Sequence, residues 1–482
     1  MRKKSIRKNY LYNLSYQILL LFTPLITTPY ISRVLGADGI GQVSYMESIA
    51  TYFVLFATMG ITTYGQREIS YVQDNRYKRS IVFWNSKILE FVTSIIVGIT
   101  YLILSVNQDN STLFIIFSMN ILAVFADVTW LFQGLEEFGK IVLRNIIFKF
   151  VNIIYIFMLV KDASDVGTYA FGLCFFTLIS NISLWFYLPK YVDRIHLCKL
   201  NPFKELRTVV SLFIPTIAIS IYTVLDKTMI GIITKNSFEN GYYEQALKIA
   251  KMVLTVVTSL GTVMIPRIGF YFEKDENDEV KRLMYRGYRF VWFLGIPLCF
   301  GLIMVSSNFV PWFYGYGYDK VSALLKVLSF LILAIGINNV TGMQYLIPTK
   351  RQNLFTFTVI IGACVNFAMN YILIGYFQSI GAAIASVTAE AVIAIIQLVI
   401  VRNEISPFRV LKEGINYFIA GLFMVVALYF VGKMFAPAIV STVILIFIGV
   451  VVYFSILITM KDEFLLSNIK KVWHRGDIKK YV

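Results

Sequence analysis

Asp226 and Lys227 stand side by side in IYTVLDKTMIG (221–231), a stretch whose other residues suit a lipid environment. A carboxylate in such a place can take up a proton or a small cation, and a flexible ammonium is a point charge suited to a phosphate oxygen. A charge at the centre of a membrane helix costs roughly 2.5–3.5 kcal/mol on insertion scales, so residues of this kind face protein or water. On a helix, positions three, four and seven apart share a face, which sets Lys227 in a stripe with Thr216, Ser220 and Thr223. Asp226 is turned about 100° from that stripe. A second stripe follows, in which Lys248, Lys251, Thr255, Thr258 and Thr262 line one helix face. Their counterparts 200 positions earlier are Ser48, Thr51, Leu55, Thr58 and Thr62, without a lysine. The stripes therefore predict a cationic lining supplied by one half of the chain. Of the remaining charges in apolar runs, Lys87 and Glu90 are spaced for a local pair, while Asp127 joins Asp226 as a candidate for coupling to H⁺ or Na⁺. Glu390 either caps a polar contact or binds a cation.

These residues need helices to carry them, and the composition says which kind. Of 482 residues, 57% are hydrophobic and only 15% charged, with a mean hydropathy of +0.70. Soluble domains carry roughly 25% charged residues. Apolar runs long enough for a hydrocarbon core about 30 Å thick recur from end to end. They fall near 10–32, 43–66, 81–105, 111–132, 146–161, 166–188, 208–233, 245–270, 288–312, 322–348, 353–375, 379–401, 413–432 and 438–460. The expectation is an all-α polytopic membrane protein with 14 transmembrane helices. MRKKSIRKNY ahead of the first run reads as the start of a retained span, because no short apolar region with a small-residue cleavage site follows.

Alternate loops, with the adjoining helix ends and both termini, hold 35 of the 44 Lys and Arg. Positive charge stays inside, so both termini are expected in the cytoplasm. The same distribution accounts for the net charge of +16 and removes it as a sign of nucleic-acid binding. Attraction to anionic membrane lipid is its secondary effect. Four scattered cysteines and two histidines leave no metal-ligand spacing or disulfide framework, and no cofactor is expected. No GxxxxGK[ST] loop occurs, so direct ATP drive is not expected.

The chain also repeats itself. FTPLITTPYI (22–31) has a counterpart in FIPTIAISIY (213–222), and 26 residues separate Gly41 from Arg67 as they separate Gly241 from Arg267. DVTW (127–130) aligns with NVTG (339–342), and 15 residues separate Asn152 from Gly167 as they do Asn366 from Gly381. Two six-helix lobes related by a pseudo-two-fold along the membrane normal follow, with two extra C-terminal helices. The expected organisation is an N-terminal lobe at 1–207, a C-terminal lobe at 208–402, and spans thirteen and fourteen with a basic tail at 403–482. The aromatic run PWFYGYGYDK (311–320) reads as an interfacial girdle, with sugar stacking as its sharper alternative, and SIGAAIAS (379–386) as a helix-packing surface.

TPYISRVLGADGIGQVSY, ADVTWLFQGLEEF, VLDKTMIG, GYYEQALKIAKMV, VMIPRIGF, YLIPTKRQN and GACVNFAMNYILIG occur in order over the first twelve spans. Together they resemble the bacterial polysaccharide repeat-unit flippases of the multidrug/oligosaccharidyl-lipid/polysaccharide exporter superfamily. The resemblance implies a cytoplasmic-membrane transporter with a V-shaped cavity. Its implied substrate is an undecaprenyl-diphosphate-linked oligosaccharide destined for O-antigen, capsule or exopolysaccharide, with polysaccharide polymerase and chain-length machinery as partners. It also implies a cationic cavity, onto which Lys227, Lys248 and Lys251 map, flanked by Arg33, Arg67 and Arg267. Alternating access would load the head group from the cytoplasm and release it outside. A multidrug extruder of the same superfamily is the nearest alternative, although three lysines would repel cationic drugs. A polymerase or other membrane enzyme is disfavoured by the short outer loops and the lack of paired carboxylates.

Overall fold

The computed structural model describes residues 6–105 and 110–467, without the side chains of 6–18, 21, 214–216, 218, 219, 221, 222, 262 and 263. Thr216, Thr262 and the tail beyond residue 467 therefore lie outside what can be described at side-chain level. The described residues are helical with no strand, as lipid demands of a backbone that must satisfy its own N–H and C=O groups. The chain divides into two compact units, Met1–Gly241 and Tyr242–Val482.

The first unit holds α1 (Ile6–Thr58), α2 (Ile61–Tyr71), α3 (Arg76–Ser105), α4 (Ser111–Ala126), α5 (Thr129–Gly134), α6 (Phe138–Leu159), α7 (Val166–Ser183) and α8 (Leu206–Thr234). A further helix, α9 (Ser237–Thr258), begins there and runs on into the second unit. The second unit continues with α10 (Gly261–Glu273), α11 (Asn277–Tyr314), α12 (Asp319–Leu328), α13 (Leu331–Asn338), α14 (Gln352–Phe377), α15 (Ser379–Ile400), α16 (Pro407–Gly432) and α17 (Ile439–Thr459).

Among the described residues, ten helical stretches are long and apolar enough to cross a membrane. They coincide with the third to sixth and ninth to fourteenth of the expected spans. The others fall on α1, α2, α8, α9 and α10, which carry prolines and charges. Helices outrun their apolar stretches where polar residues reach water: α11 starts at Asn277 rather than near 288, with Asp278 and Glu279 complementing the dipole of its first turn. The first two expected spans have no loop between them, because α1 merely breaks at Gly36 (φ 67°, ψ 178°). A side chain would strain that left-handed backbone.

Other irregularities fall where the sequence repeats. Met59 and Gly60 have φ of 44° and 76° and separate α1 from α2, and 200 residues later Ser259 and Leu260 separate α9 from α10. DVTW marks the break between α4 and α5, and NVTG opens a π-helical turn at Asn339–Leu346.

In the first unit, Trp130 stacks on Phe83 at 5.4 Å in a core with Ile61, Leu131 and Leu188. Lys87 and Glu90 are both buried beside it and pair at 2.6 Å. The Lys87 ammonium also donates to the Asp127 carbonyl oxygen at 2.6 Å, so the pair fastens the broken end of α4. In the second unit α14 packs on α15, whose Ala382, Ala383 and Ala385 are buried, as SIGAAIAS suggests. Both C-terminal helices, α16 and α17, pack on α11. Tyr314 and Tyr318 of the aromatic run are buried and stacked at 5.4 Å, while Tyr316 is fully exposed.

Two loops of the second unit are clasped by Arg351, whose guanidinium makes two 2.8 Å bonds to the Glu404 carboxylate. Tyr345 donates to the same carboxylate. Burial raises the Glu404 carboxyl, but the bonds from Arg351 and Tyr345 outweigh it and hold the group below its usual range. A depressed carboxyl stabilises the fold above its unfolded-state value and loses that contribution as pH falls through the folded one. Both partners are partly exposed, so Arg351→Met should cost less than about 1 kcal/mol at neutral pH. Thermal melts of variant and parent should converge once the pH falls below the carboxylate range.

Candidate substrate-binding site

Lys227 lies on α8, which packs against α1 and α2 within the first unit. Its side chain is 13% exposed, and its ammonium stands 3.9 Å from the carboxylate of Glu47 on α1, which is 51% exposed. The next residue, Thr228, donates to the Ser48 hydroxyl at 2.9 Å and lies 3.3 Å from the Tyr52 hydroxyl. Ser48 is one of the residues matched to the second polar stripe, so the hydroxyls of that face of α1 meet α8 next to the lysine. Asp226 is buried at 8% exposure, off the Lys227 face as the helical period requires.

On α9, in the second unit, Lys248 pairs with Glu244 one turn earlier at 3.3 Å and is partly exposed. Lys251 is exposed. Thr255 and Thr258 donate to the carbonyl oxygens of Lys251 and Leu254, and on α8 Thr223 donates to Ser220. Each hydroxyl spends its proton on its own helix and keeps an acceptor lone pair for a sugar hydroxyl or water.

Arg33 is exposed and donates to the Pro29 carbonyl oxygen at 2.8 Å. Arg67 pairs with the neighbouring Glu68 at 2.9 Å, and Arg267, on α10 in the second unit, is exposed. Lys227, Arg33 and Arg67 thus belong to the first unit, and Lys248, Lys251 and Arg267 to the second. Asp127 accepts the Thr129 N–H at 2.8 Å, turning the chain at the break between α4 and α5. Glu390 bonds to Asn338.

Glu47 and Glu244 temper the lysines, and neither stood out in the sequence. Glu244 was detectable from its i,i+4 spacing to Lys248. Glu47 was not, because only the packing of α1 against α8 brings it to Lys227.

Comparison with known proteins follows the same lines. Over residues 6–272, more than half of the chain, the sequence matches the family described as Polysaccharide biosynthesis protein. A putative O-antigen transporter of Escherichia coli is 25% identical over 410 residues, spanning 83% of this chain and 98% of the relative. A probable low-salt glycan biosynthesis flippase of Haloferax volcanii is 23% identical over about half of each chain, 49% and 50%. Among solved structures, the lipid II flippase MurJ in its inward closed conformation superposes with a TM-score of 0.73 at 16% identity, covering 94% of this chain and 99% of that one. A MATE family multidrug transporter facing inward gives 0.60 at 14% identity over 82% and 98%. At such identities these likenesses establish the fold: an all-helical, multi-pass membrane architecture shared by both. With more than half of its residues matched, the chain belongs to the family described as Polysaccharide biosynthesis protein.

Proposed function

We propose that this protein is a flippase that carries undecaprenyl-diphosphate-linked oligosaccharide repeat units from the inner to the outer leaflet of the bacterial cytoplasmic membrane by alternating access. The observation that carries the reading is Lys227, a largely buried ammonium on an apolar helix, 3.9 Å from a half-exposed carboxylate and beside a hydroxyl cluster. Phosphate oxygens of the substrate compete with Glu47 for that ammonium, while Thr and Ser oxygens accept hydrogen bonds from sugar hydroxyls. Contacts of this kind are weak enough singly to let the substrate leave. Lys248, Lys251 and the three arginines extend the cationic path, fourteen spans carry it, both termini face the cytoplasm, and Asp226 or Asp127 couples the step to H⁺ or Na⁺. Support comes from the family membership and from relatives whose names describe O-antigen transport and glycan flipping.

The test is to delete the gene and follow lipid-linked oligosaccharide by mass spectrometry, with leaflet assignment. The completed precursor should accumulate on the cytoplasmic leaflet, and the wild-type gene should clear it. Lys227→Ala should slow clearance about 10–100-fold, the scale of a lost charge-assisted hydrogen bond, and Lys227→Arg should restore most of it. Asp226→Asn should blunt the response to the ion gradient if it is the coupling group. Normal lipids with altered drug efflux would replace this reading with that of an extruder.

A further inference from the structure

The second unit carries a basic cleft that the transport reading leaves unused. It encloses about 890 Å³ where the start of α11, the loop between α15 and α16, the start of α16 and the segment after α17 converge. Six basic and four acidic side chains line it. Arg289 and Arg409 are matched by Glu413, at 3.5 and 3.4 Å, and Glu404 is committed to Arg351. Among the described residues, no carboxylate lies within ion-pair distance of Lys281, Arg286 or Arg402. Lys281 acts electrostatically on Glu404, and Asp278 and Glu463 also line the cleft, but six basic groups against four acidic ones leave it an excess of positive charge.

An apolar groove of about 350 Å³ runs along the same helix, between α11, α16, α17 and Ile249 and Val253 of α9. On α11, Arg282, Arg286 and Arg289 line the cleft, and Phe293, Pro297 and Gly301 continue at the same three- or four-residue spacing into the groove. One helix face thus turns from cationic to apolar within a single turn, between Arg289 and Phe293. Phe464, from the cleft, meets Phe293, from the groove, with ring centroids 5.3 Å apart. The groove is open beside Gly301, where an added Cβ would touch nothing within 4 Å.

We propose that the cleft and groove together bind one anionic phospholipid. Its phosphate lies against Arg286 and Arg402, and one acyl chain runs past Phe293, Pro297 and Gly301. Charge complementarity selects an anionic head group over a zwitterionic one, and the groove excludes ligands with no apolar tail. None of the lysines of the transport reading lines the cleft or the groove, although Ile249 and Val253 of the groove share α9 with Lys248 and Lys251, so failure of this site leaves that reading standing.

The full-length protein, reconstituted in nanodiscs with equal amounts of phosphatidylglycerol and phosphatidylcholine, should retain phosphatidylglycerol about tenfold more often in native mass spectra, as expected for two arginines at a charged interface. The double substitution Arg286→Gln/Arg402→Gln should abolish that preference without changing the melting temperature. Gly301→Phe should reduce retention of both lipids. Equal retention by the wild-type protein, or an unchanged preference in the double variant, overturns the proposal. So does displacement of phosphatidylglycerol by equimolar undecaprenyl diphosphate, which would assign the site to the transported substrate.

Discussion

Lys87→Met is expected to destabilise the protein by about 3–5 kcal/mol, the cost of leaving one member of a buried ion pair uncompensated. Lys87 and Glu90 are both fully buried on α3, and the ammonium is surrounded by the Glu90 carboxylate, the Asp127 carbonyl oxygen and the rings of Phe91 and Trp185. Removing it strands Glu90 next to the buried Trp130 and frees the end of α4. The double substitution Lys87→Met/Glu90→Met removes both charges and should recover much of the loss, because apolar replacements of a buried pair are often nearly neutral. Thermal unfolding of the purified variants in detergent gives both numbers. If the single variant melts with the parent, the pair does not hold the first unit together.

Gly41→Ala should be nearly as damaging, at or above the 1–3 kcal/mol typical of overpacking, although glycine-to-alanine changes inside helices normally stabilise by about 0.5–1 kcal/mol. The sign reverses because a Cβ at Gly41 would lie 1.7 Å from the Ser237 carbonyl oxygen and 2.8 Å from the Gly241 nitrogen. Both contacts are backbone and cannot swing aside. Gly241 is equally confined, its added Cβ falling 1.9 Å from the Ala37 carbonyl oxygen. The two glycines thus allow α1 and the start of α9 to touch main chain to main chain, and Asp38 holds the crossing by accepting the Ser237 hydroxyl at 2.6 Å. Gly375→Ala is the control: that glycine lies in α14 with nothing within 4 Å of an added Cβ, so its melting temperature should stay level or rise. A harmless Gly41→Ala would mean that the two helices separate without penalty.

Much of the fold was legible because the bilayer imposes length and polarity on each segment independently. The runs at 81–105, 353–375 and 438–460 reappear as α3, α14 and α17 within a few residues, since a helix in lipid satisfies its backbone locally and needs no partner to define it. The pairing of Lys87 with Glu90 was legible for the same reason, both groups lying on one helix face. The small-residue surface of α15 was visible too, because close helix packing in lipid selects Gly, Ala and Ser.

What the sequence could not supply is whatever depends on two distant segments meeting. Periodicity finds the face of α8 that carries Lys227 but not the α1 carboxylate opposite it. It shows Gly41 and Gly241 as counterparts, and only the crossing of α1 with α9 shows that they touch. The basic residues of the cleft were read as topology signals scattered among loops. Packing of α11 against α16 and α17 gathers them beside an apolar groove. Sequence by itself determined the helices, their polarity and the family, because those follow from local composition and ordered motifs. Tertiary structure alone decided which charges meet a partner on another helix, as Lys227 meets Glu47, because a partner across a helix interface leaves no trace in sequence spacing.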